Sequence, residues 1–177
     1  MPTHRPSPTP TAARRRALLQ LAVGAAALAG VTGCGFKLRQ APTFVFQTVR
    51  LVGGTNSPVT AELLRALATN GLQVVYGATP ADVVLTVVTD QRERIAVGQT
   101  AAGQVRELQL RTRFTFRLRT TSDKDLIDDT ELLLERDLSF SETAVLSKDA
   151  EEALLYRDMV SDAVQQVVRR LAAVKSL

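Results

Sequence analysis

The most regular alternation of apolar and polar positions lies in the middle of the chain, between residues 107 and 119. Apolar residues or threonine occupy the even positions from Leu108 to Leu118, and polar or charged residues occupy the odd ones. Because successive side chains of a strand point to opposite faces, this alternation predicts a strand with one apolar face. The other face carries four arginines: Arg111, Arg113, Arg117 and Arg119.

A second alternating segment follows from Leu126 to Phe140, with acids at odd positions and leucines at several even ones. A hairpin whose paired positions sum to 248 sets acids opposite arginines and apolar residues opposite each other, so we predict this register. The predicted charged pairs are Arg119 with Asp129, Arg117 with Glu131, Arg113 with Glu135 and Arg111 with Asp137. In this interpretation the arginines are mostly neutralised by their own sheet.

Two earlier segments carry shorter signals. The stretch from Phe44 to Val52 is rich in β-branched and aromatic residues, which predicts a strand. Ser57 and Pro58 then suit the cap and the first turn of a helix, and Asn70-Gly71 is a typical stop. The apolar residues between them recur on one face, so we expect a short amphipathic helix.

The remaining segments complete a predicted fold. Val83 to Val88 begins another strand that becomes polar beyond Asp90, and Gly98 to Gly103 is a turn between strands. From Asp149 to about Ala173, apolar residues recur at helical spacing, which predicts a long helix packed on the sheet. The order strand-helix-strand-strand-strand-helix predicts an α+β two-layer sandwich, a four-stranded mixed sheet with two helices on one face.

The amino-terminal segment has the layout of an export signal. Arg14, Arg15 and Arg16 precede an apolar run of about fifteen residues, and the small residues Thr32-Gly33 precede Cys34. This run is short for a bilayer span, and the sequence around Cys34 matches a bacterial lipobox. We predict that residues 1–33 are removed, Cys34 is lipidated, residues 34–43 form a tether, and residues 44–177 form one domain. Twin-arginine and general secretory export both stay open.

The net charge lies at one end of the chain. It is +4, from 22 Lys and Arg against 18 Asp and Glu, and residues 1–33 hold four of the cations and no acid. The remainder is therefore neutral, which argues against nucleic acid as a partner. The single His4 and the single Cys34 exclude the usual zinc sites and histidine-dependent catalysis. We predict no catalytic residue, no metal site and no cofactor.

The residues after the predicted cleavage site resemble a known family. The sequence Cys34-Gly35-Phe36-Lys37-Leu38-Arg39 is similar to the mature start of the lipopolysaccharide-assembly lipoproteins of the LptE family. Three further blocks with similar spacing extend the resemblance over nearly the whole mature chain: Glu107-Leu108-Gln109-Leu110, Leu146-Ser147-Lys148-Asp149 and Arg157-Asp158-Met159.

The resemblance implies a partner, a ligand and a location. It implies a two-layer α/β domain that plugs the barrel of the outer-membrane translocon LptD and assists lipopolysaccharide delivery. The protein would be anchored to the outer membrane by its amino-terminal lipid and would face the periplasm and the barrel lumen. Gly35 follows the lipidated residue where an inner-membrane lipoprotein of enteric bacteria has Asp, which favours outer-membrane sorting by analogy.

Lipopolysaccharide carries phosphates on its glucosamine head, so its site needs Lys or Arg beside apolar surface. We expect Lys148 first, because it precedes the long helix near its positive end and resembles a basic position of the family. Arg106 beside the glycine-rich turn is the next candidate, and Arg94 and Arg92 follow.

Two alternative functions stay open on the residues alone. One is an interaction-only lipoprotein of another envelope assembly machine. The other is a carboxylate-dependent envelope hydrolase, which we disfavour because most acids fall in the strand pairs or at a helix end.

Replacing the predicted lipidated residue tests the anchor. We expect Cys34→Ala to abolish acyl labelling of the mature protein, because the thiol that receives the lipid is gone. Metabolic labelling with a fatty acid checks this, and labelled Cys34→Ala protein would contradict the prediction.

Overall fold

Five strands and two helices make up the part of the chain that the computed structural model describes, residues 42–139 and 145–177. In chain order they are β1 (Thr48–Val52), α1 (Pro58–Thr69), β2 (Gln73–Val75), β3 (Val83–Gln99), β4 (Val105–Thr120), β5 (Asp125–Ser139) and α2 (Val145–Ala172). The predictions for the signal segment and for Cys34 concern residues outside these ranges.

The strands form one mixed sheet in the order β2-β1-β3-β4-β5. β1 runs parallel to β2 and to β3, whereas β3, β4 and β5 are successively antiparallel. The predicted α+β fold with a mixed sheet is confirmed, but the predicted number of four strands is wrong. The missed strand, β2, has three residues, which is too short to show an alternating pattern.

Helix α1 begins and ends where its local signals place it. Ser57 Oγ accepts a hydrogen bond from the amide of Thr60 at 3.2 Å, and Pro58 occupies the first turn. This bond satisfies one of the amides that a helix start leaves without a partner. At the other end Gly71 adopts a φ of +81°, a conformation that residues other than glycine rarely take.

One apolar core joins the inner face of the sheet to both helices. The even positions of β4 are buried, as the alternation predicts, and Phe114 and Phe116 are fully inaccessible. Burying a leucine or phenylalanine side chain contributes about 1.5–3 kcal/mol, so this shared core is the main stabilising feature. The helices contribute the following buried residues: Val59, Leu63 and Leu67 from α1, and Met159, Val160, Ala163, Val164, Val167, Val168 and Leu171 from α2.

The predicted register of β4 and β5 is wrong by two residues. Arg111 lies opposite Glu135 instead of Asp137, and Phe114 lies opposite Leu132. A register whose paired positions sum to 248 centres the hairpin on Lys124, whereas the observed turn closes between Thr120 and Lys124. The corrected pairs along the strands include Leu108 with Leu138, Thr112 with Leu134, Arg113 with Leu133, Thr115 with Glu131 and Phe116 with Thr130.

The turn between β4 and β5 sets this register. The amide of Thr120 donates to the carbonyl oxygen of Lys124 at 2.9 Å, and Asp123 takes a φ of +66°. Aspartate tolerates this left-handed conformation, which closes a hairpin with a three-residue loop. Two irregularities near Leu118 then bring the strands to their final alignment. From Thr130 to Ser139 the shift is two residues, which keeps each side chain on its face, so the apolar face survives the error.

The arginines on the outer face of β4 still pair with acids of β5. Their nitrogens approach carboxylate oxygens at 2.7 Å for Arg111 with Glu135, 2.8 Å for Arg113 with Glu131, 3.2 Å for Arg117 with Asp129 and 2.6 Å for Arg119 with Asp125. The expected neutralisation therefore holds, although each of the four arginines pairs with an acid other than its predicted partner. We name these four arginines and their acids the charge ladder.

The β1–α1 loop approaches β3 so closely that it needs glycine. Gly53 has a φ of +79°, and a Cβ at this position would lie 2.5 Å from the carbonyl oxygen of Val87. Gly103, in the β3–β4 turn, has the same φ of +79° but no atom within 4 Å of such a Cβ. The two glycines therefore separate the effect of backbone conformation from the effect of contact.

We expect Gly103→Ala to lower the free energy of unfolding by about 1–2 kcal/mol, the penalty for a left-handed conformation. Gly53→Ala should lose about 1–3 kcal/mol more, because its Cβ also displaces backbone atoms. Urea-induced unfolding of both variants measures the difference. Equal losses would show that the contact with Val87 relaxes at no cost.

Candidate functional site

A groove of about 550 Å³ opens between α1, α2 and the second half of β3. We name it the interhelical groove. Its apolar surface comes from Pro58 and Ala61 on α1 and from Ala153 and Val160 on α2, beside the ring of Tyr156. Seven charged side chains also line it: Arg65, Arg92, Arg94, Arg157, Glu62, Asp149 and Glu152. The groove thus places cations beside apolar surface.

The two helices line the groove with residues spaced three or four apart. On α1 these are Ala61 and Arg65, and on α2 they are Glu152, Tyr156 and Val160. Residues at this spacing share one helix face. The same face of α2 continues into buried core residues, so the groove wall is held by the packing of the helix.

Arg92 and Arg94 reach the groove because β3 contains a β-bulge. The pairing with β4 shifts between Val87 and Thr89, which leaves Val88 as the additional residue, 43% exposed. Residues opposite each other in an antiparallel pair lie on the same face. Beyond the bulge the pairs with the buried face of β4 are Asp90 with Phe114, Arg92 with Thr112 and Arg94 with Leu110. The bulge therefore turns both arginines toward the helices.

Tyr156 joins α2 to this part of β3. Its hydroxyl donates a hydrogen bond to the main-chain carbonyl oxygen of Glu93 at 2.9 Å. The guanidinium carbon of Arg92 lies 4.9 Å from the centre of the tyrosine ring, within the range of a cation–π contact. Burial raises the pKa of the Tyr156 hydroxyl, and the neighbouring Glu152 adds to the shift. The hydroxyl therefore stays protonated and keeps its role as donor.

Arg94 is held less tightly than the arginines of the charge ladder. Its Nη1 lies 3.5 Å from Glu152 Oε2, and its side chain is 49% exposed. Three of the four ladder arginines approach their acids at 2.6–2.8 Å, the distance of a strong charge-assisted hydrogen bond. Glu152 Oε2 itself is buried and accepts no hydrogen bond from the described residues. A ligand with a stronger acceptor can therefore compete for Arg94.

A smaller groove of about 480 Å³ adjoins the first at the amino end of α1, and it includes Asp90 and Arg92. Burial raises the pKa of the Asp90 carboxyl above its usual value, and the charge of Arg92 opposes this shift. Asp90 Oδ2 is buried and has no hydrogen-bond partner within residues 42–139 and 145–177. Arg92 therefore faces both an aromatic ring and an acid.

This arrangement suits an amphipathic anion. A guanidinium group can donate two parallel hydrogen bonds to a phosphate, and Arg92 and Arg94 lie two residues apart on one face of a strand. Ala61, Ala153 and Val160 offer apolar surface in the same groove. The groove can therefore receive a phosphate that is attached to an apolar group.

The structure brings together two of the five predicted site residues. Arg92 and Arg94 line the interhelical groove, whereas Arg106 lies at the start of β4 and Lys148 in the first turn of α2, and neither lines it. Arg106 and Lys148 are partly buried, and each takes part in an interaction of its own. Cys34 lies outside the described residues.

Sequence reasoning missed Tyr156, Glu152, Arg65 and Arg157 as groove residues. Tyr156 fell on the apolar stripe of the last helix and was interpreted as core. Its hydroxyl was the available signal, because a buried tyrosine needs a hydrogen-bond partner. The β-bulge determines that this partner is the carbonyl of Glu93, and no sequence pattern predicts the bulge.

Within the described residues, no helix is long and apolar enough to cross a membrane. The same residues contain no cluster of three or more His, Cys, Asp or Glu side chains that could hold a metal ion.

The chain is similar to a known family over most of its length. A family model described as LptE, lipopolysaccharide-assembly, matches residues 45–171. Among solved structures, an uncharacterized lipoprotein B from Nitrosomonas europaea is 33% identical, with a TM-score of 0.68 over 78% of this chain and 91% of that one. No curated protein is similar enough to count as a match.

Two more distant structures share the fold. The rare lipoprotein B from Shewanella oneidensis is 21% identical, with a TM-score of 0.61 over 72% of this chain and 95% of that one. A minor lipoprotein from Acinetobacter baumannii is 22% identical, with a TM-score of 0.60 over 74% of this chain and 94% of that one.

The hydrogen bond from Tyr156 predicts a measurable contribution to stability. We expect Tyr156→Phe to lower the free energy of unfolding by about 0.5–1.5 kcal/mol, since the carbonyl of Glu93 loses its donor. Tyr76→Phe is the matched control, because Tyr76 is 58% exposed. Chemical unfolding of both variants checks the prediction, and an equal effect at the two positions would refute it.

Proposed function

Because the chain belongs to the LptE family of lipopolysaccharide-assembly proteins, we propose that it plugs the barrel of an LptD-type translocon in the outer membrane. In this role it assists the barrel's assembly and the delivery of lipopolysaccharide to the outer leaflet. An amino-terminal lipid on Cys34 would hold it at that membrane, facing the periplasm and the barrel lumen. Gly35, next to the lipidated residue, supports this location.

Family membership sets the class of protein. The chain is a non-enzymatic lipoprotein of the cell envelope that acts in lipopolysaccharide assembly. The prediction that it is not an enzyme is confirmed by this membership. Neither an envelope hydrolase nor a lipoprotein of a different assembly machine fits the family.

The interhelical groove carries the ligand part of the proposal. In this groove Arg94 is held by a long contact with Glu152, and Arg92 lies over the ring of Tyr156. Both arginines lie beside apolar surface. The phosphates of lipopolysaccharide are attached to a glucosamine head that bears acyl chains, so the ligand has both the charge and the apolar groups that such a groove accepts. Lys148 and Arg106 remain candidates for further phosphate contacts outside the groove.

The full-length lipoprotein, purified in detergent from its own membrane, tests both parts of the proposal. We expect a large outer-membrane barrel to co-purify at equal stoichiometry. We also expect Arg92→Gln with Arg94→Gln to weaken binding of purified lipopolysaccharide at least tenfold, because two charged donors are lost. Lys148→Glu should weaken lipopolysaccharide binding as well, while association with the barrel persists.

Arg169→Gln with Arg170→Gln is the matched control, since it removes the same charge from exposed positions at the end of α2. It should bind lipopolysaccharide like the unaltered protein. Absence of a barrel from the purified material would refute the plug. If the control pair weakened lipopolysaccharide binding equally, the loss would be a general effect of charge and the groove would not be the binding site.

A further inference from the structure

β5 forms a long edge of the sheet. It is the last strand in the order β2-β1-β3-β4-β5, and among the described residues no strand pairs with its other side. It has 15 residues, or about 50 Å at the usual rise, whereas the opposite edge strand β2 has three. A long edge strand presents a row of unpaired amide and carbonyl groups, which other chains can extend by pairing.

The edge strand itself is acidic, although four of its acids pair with arginines of β4. β5 carries six acids and one arginine, whereas β4 carries five arginines and one acid. Asp129 and Glu131 are 54% and 47% exposed although they pair with ladder arginines on one side. Asp137 receives a long hydrogen bond of 3.4 Å from Gln109. Asp129 and Glu131 therefore remain about half exposed, and Asp137 is only weakly bonded to β4.

A second copy of this chain does not suit the edge. Pairing β5 with its own copy would set a strand of six acids and one arginine against the same strand. Like charges opposite each other destabilise a strand pair. A basic strand would instead continue the alternation that β4 and β5 begin. Leu133, 45% exposed between Glu131 and Glu135 on the outer face, adds one apolar contact at the middle of the edge.

We propose that the open edge of β5 docks an extended segment of the barrel partner, one with Lys or Arg at alternate positions. The segment adds a sixth strand to the sheet. Its main-chain groups pair with those of β5, and its basic side chains face Asp129, Glu131, Glu135 and Asp137. The inference rests on the proposed function, because it takes the barrel as the partner.

Hydrogen exchange tests the pairing directly. The full-length lipoprotein is compared alone and in the complex that co-purifies with its barrel. We expect the β5 amides that do not donate to β4, about every second one, to exchange at least tenfold more slowly in the complex. Exchange of these amides at the same rate in both samples would overturn the proposal.

Paired variants separate the edge from surface charge in general. Leu133→Lys with Asp137→Lys should reduce recovery of the barrel at least tenfold, since the new cations repel a basic strand. Leu154→Lys with Glu151→Lys makes the same chemical change at exposed positions of α2 and should leave recovery unchanged. Equal recovery with both pairs would overturn the inference.

The experiments distinguish a failure of the proposed function from a failure of the docking edge. If the unaltered protein recovers no barrel, the plug itself is wrong. If it recovers the barrel but β5 stays unprotected, only the docking edge is wrong. A dimer detected by light scattering, with β5 protected in the absence of any barrel, would assign the edge to a second copy and would also overturn the proposal.

Discussion

The β-bulge at Val88 gives the inner face of β3 two different characters, because it shifts the pairing with β4 by one residue. Ahead of the bulge Leu85 and Val87 are buried in the core, and beyond it Arg92 and Arg94 face the helices. In an unbroken strand the two arginines would lie on the outer face beside the charge ladder. One additional residue in the strand thus decides whether the interhelical groove has cations from the sheet.

Because of the bulge, the two halves of α2 have different surroundings. The first half of the helix lies on the polar part of β3, where Tyr156 donates to the carbonyl of Glu93 and Glu152 faces Arg94. In the second half, from Met159 onward, one face of the helix is buried in the core. The core half provides the apolar burial that stabilises the helix, so the polar half can hold side chains in place for binding.

Local patterns specified more of this fold than long-range ones did. The inner face of β4 and the limits of α1 follow from alternation and from the cap at Ser57, which depend on neighbouring residues only. The β4–β5 register depended on the left-handed conformation of Asp123, and the groove depended on a bulge at Val88. The turn and the bulge are both features of backbone geometry. The hydrophobic pattern is compatible with more than one turn and with a strand that has or lacks a bulge.

Loose pairing in the groove is consistent with transfer of a ligand instead of storage. In the proposed function, Arg94 would exchange a 3.5 Å contact with Glu152 for a phosphate, so the gain on binding would be only the difference between two interactions with an anion. Arg92 likewise leaves a ring contact and a neighbouring acid. A site with bare cations would bind phosphate more tightly and release it more slowly. Under the proposed function, the acids near both arginines would therefore favour release of a bound phosphate.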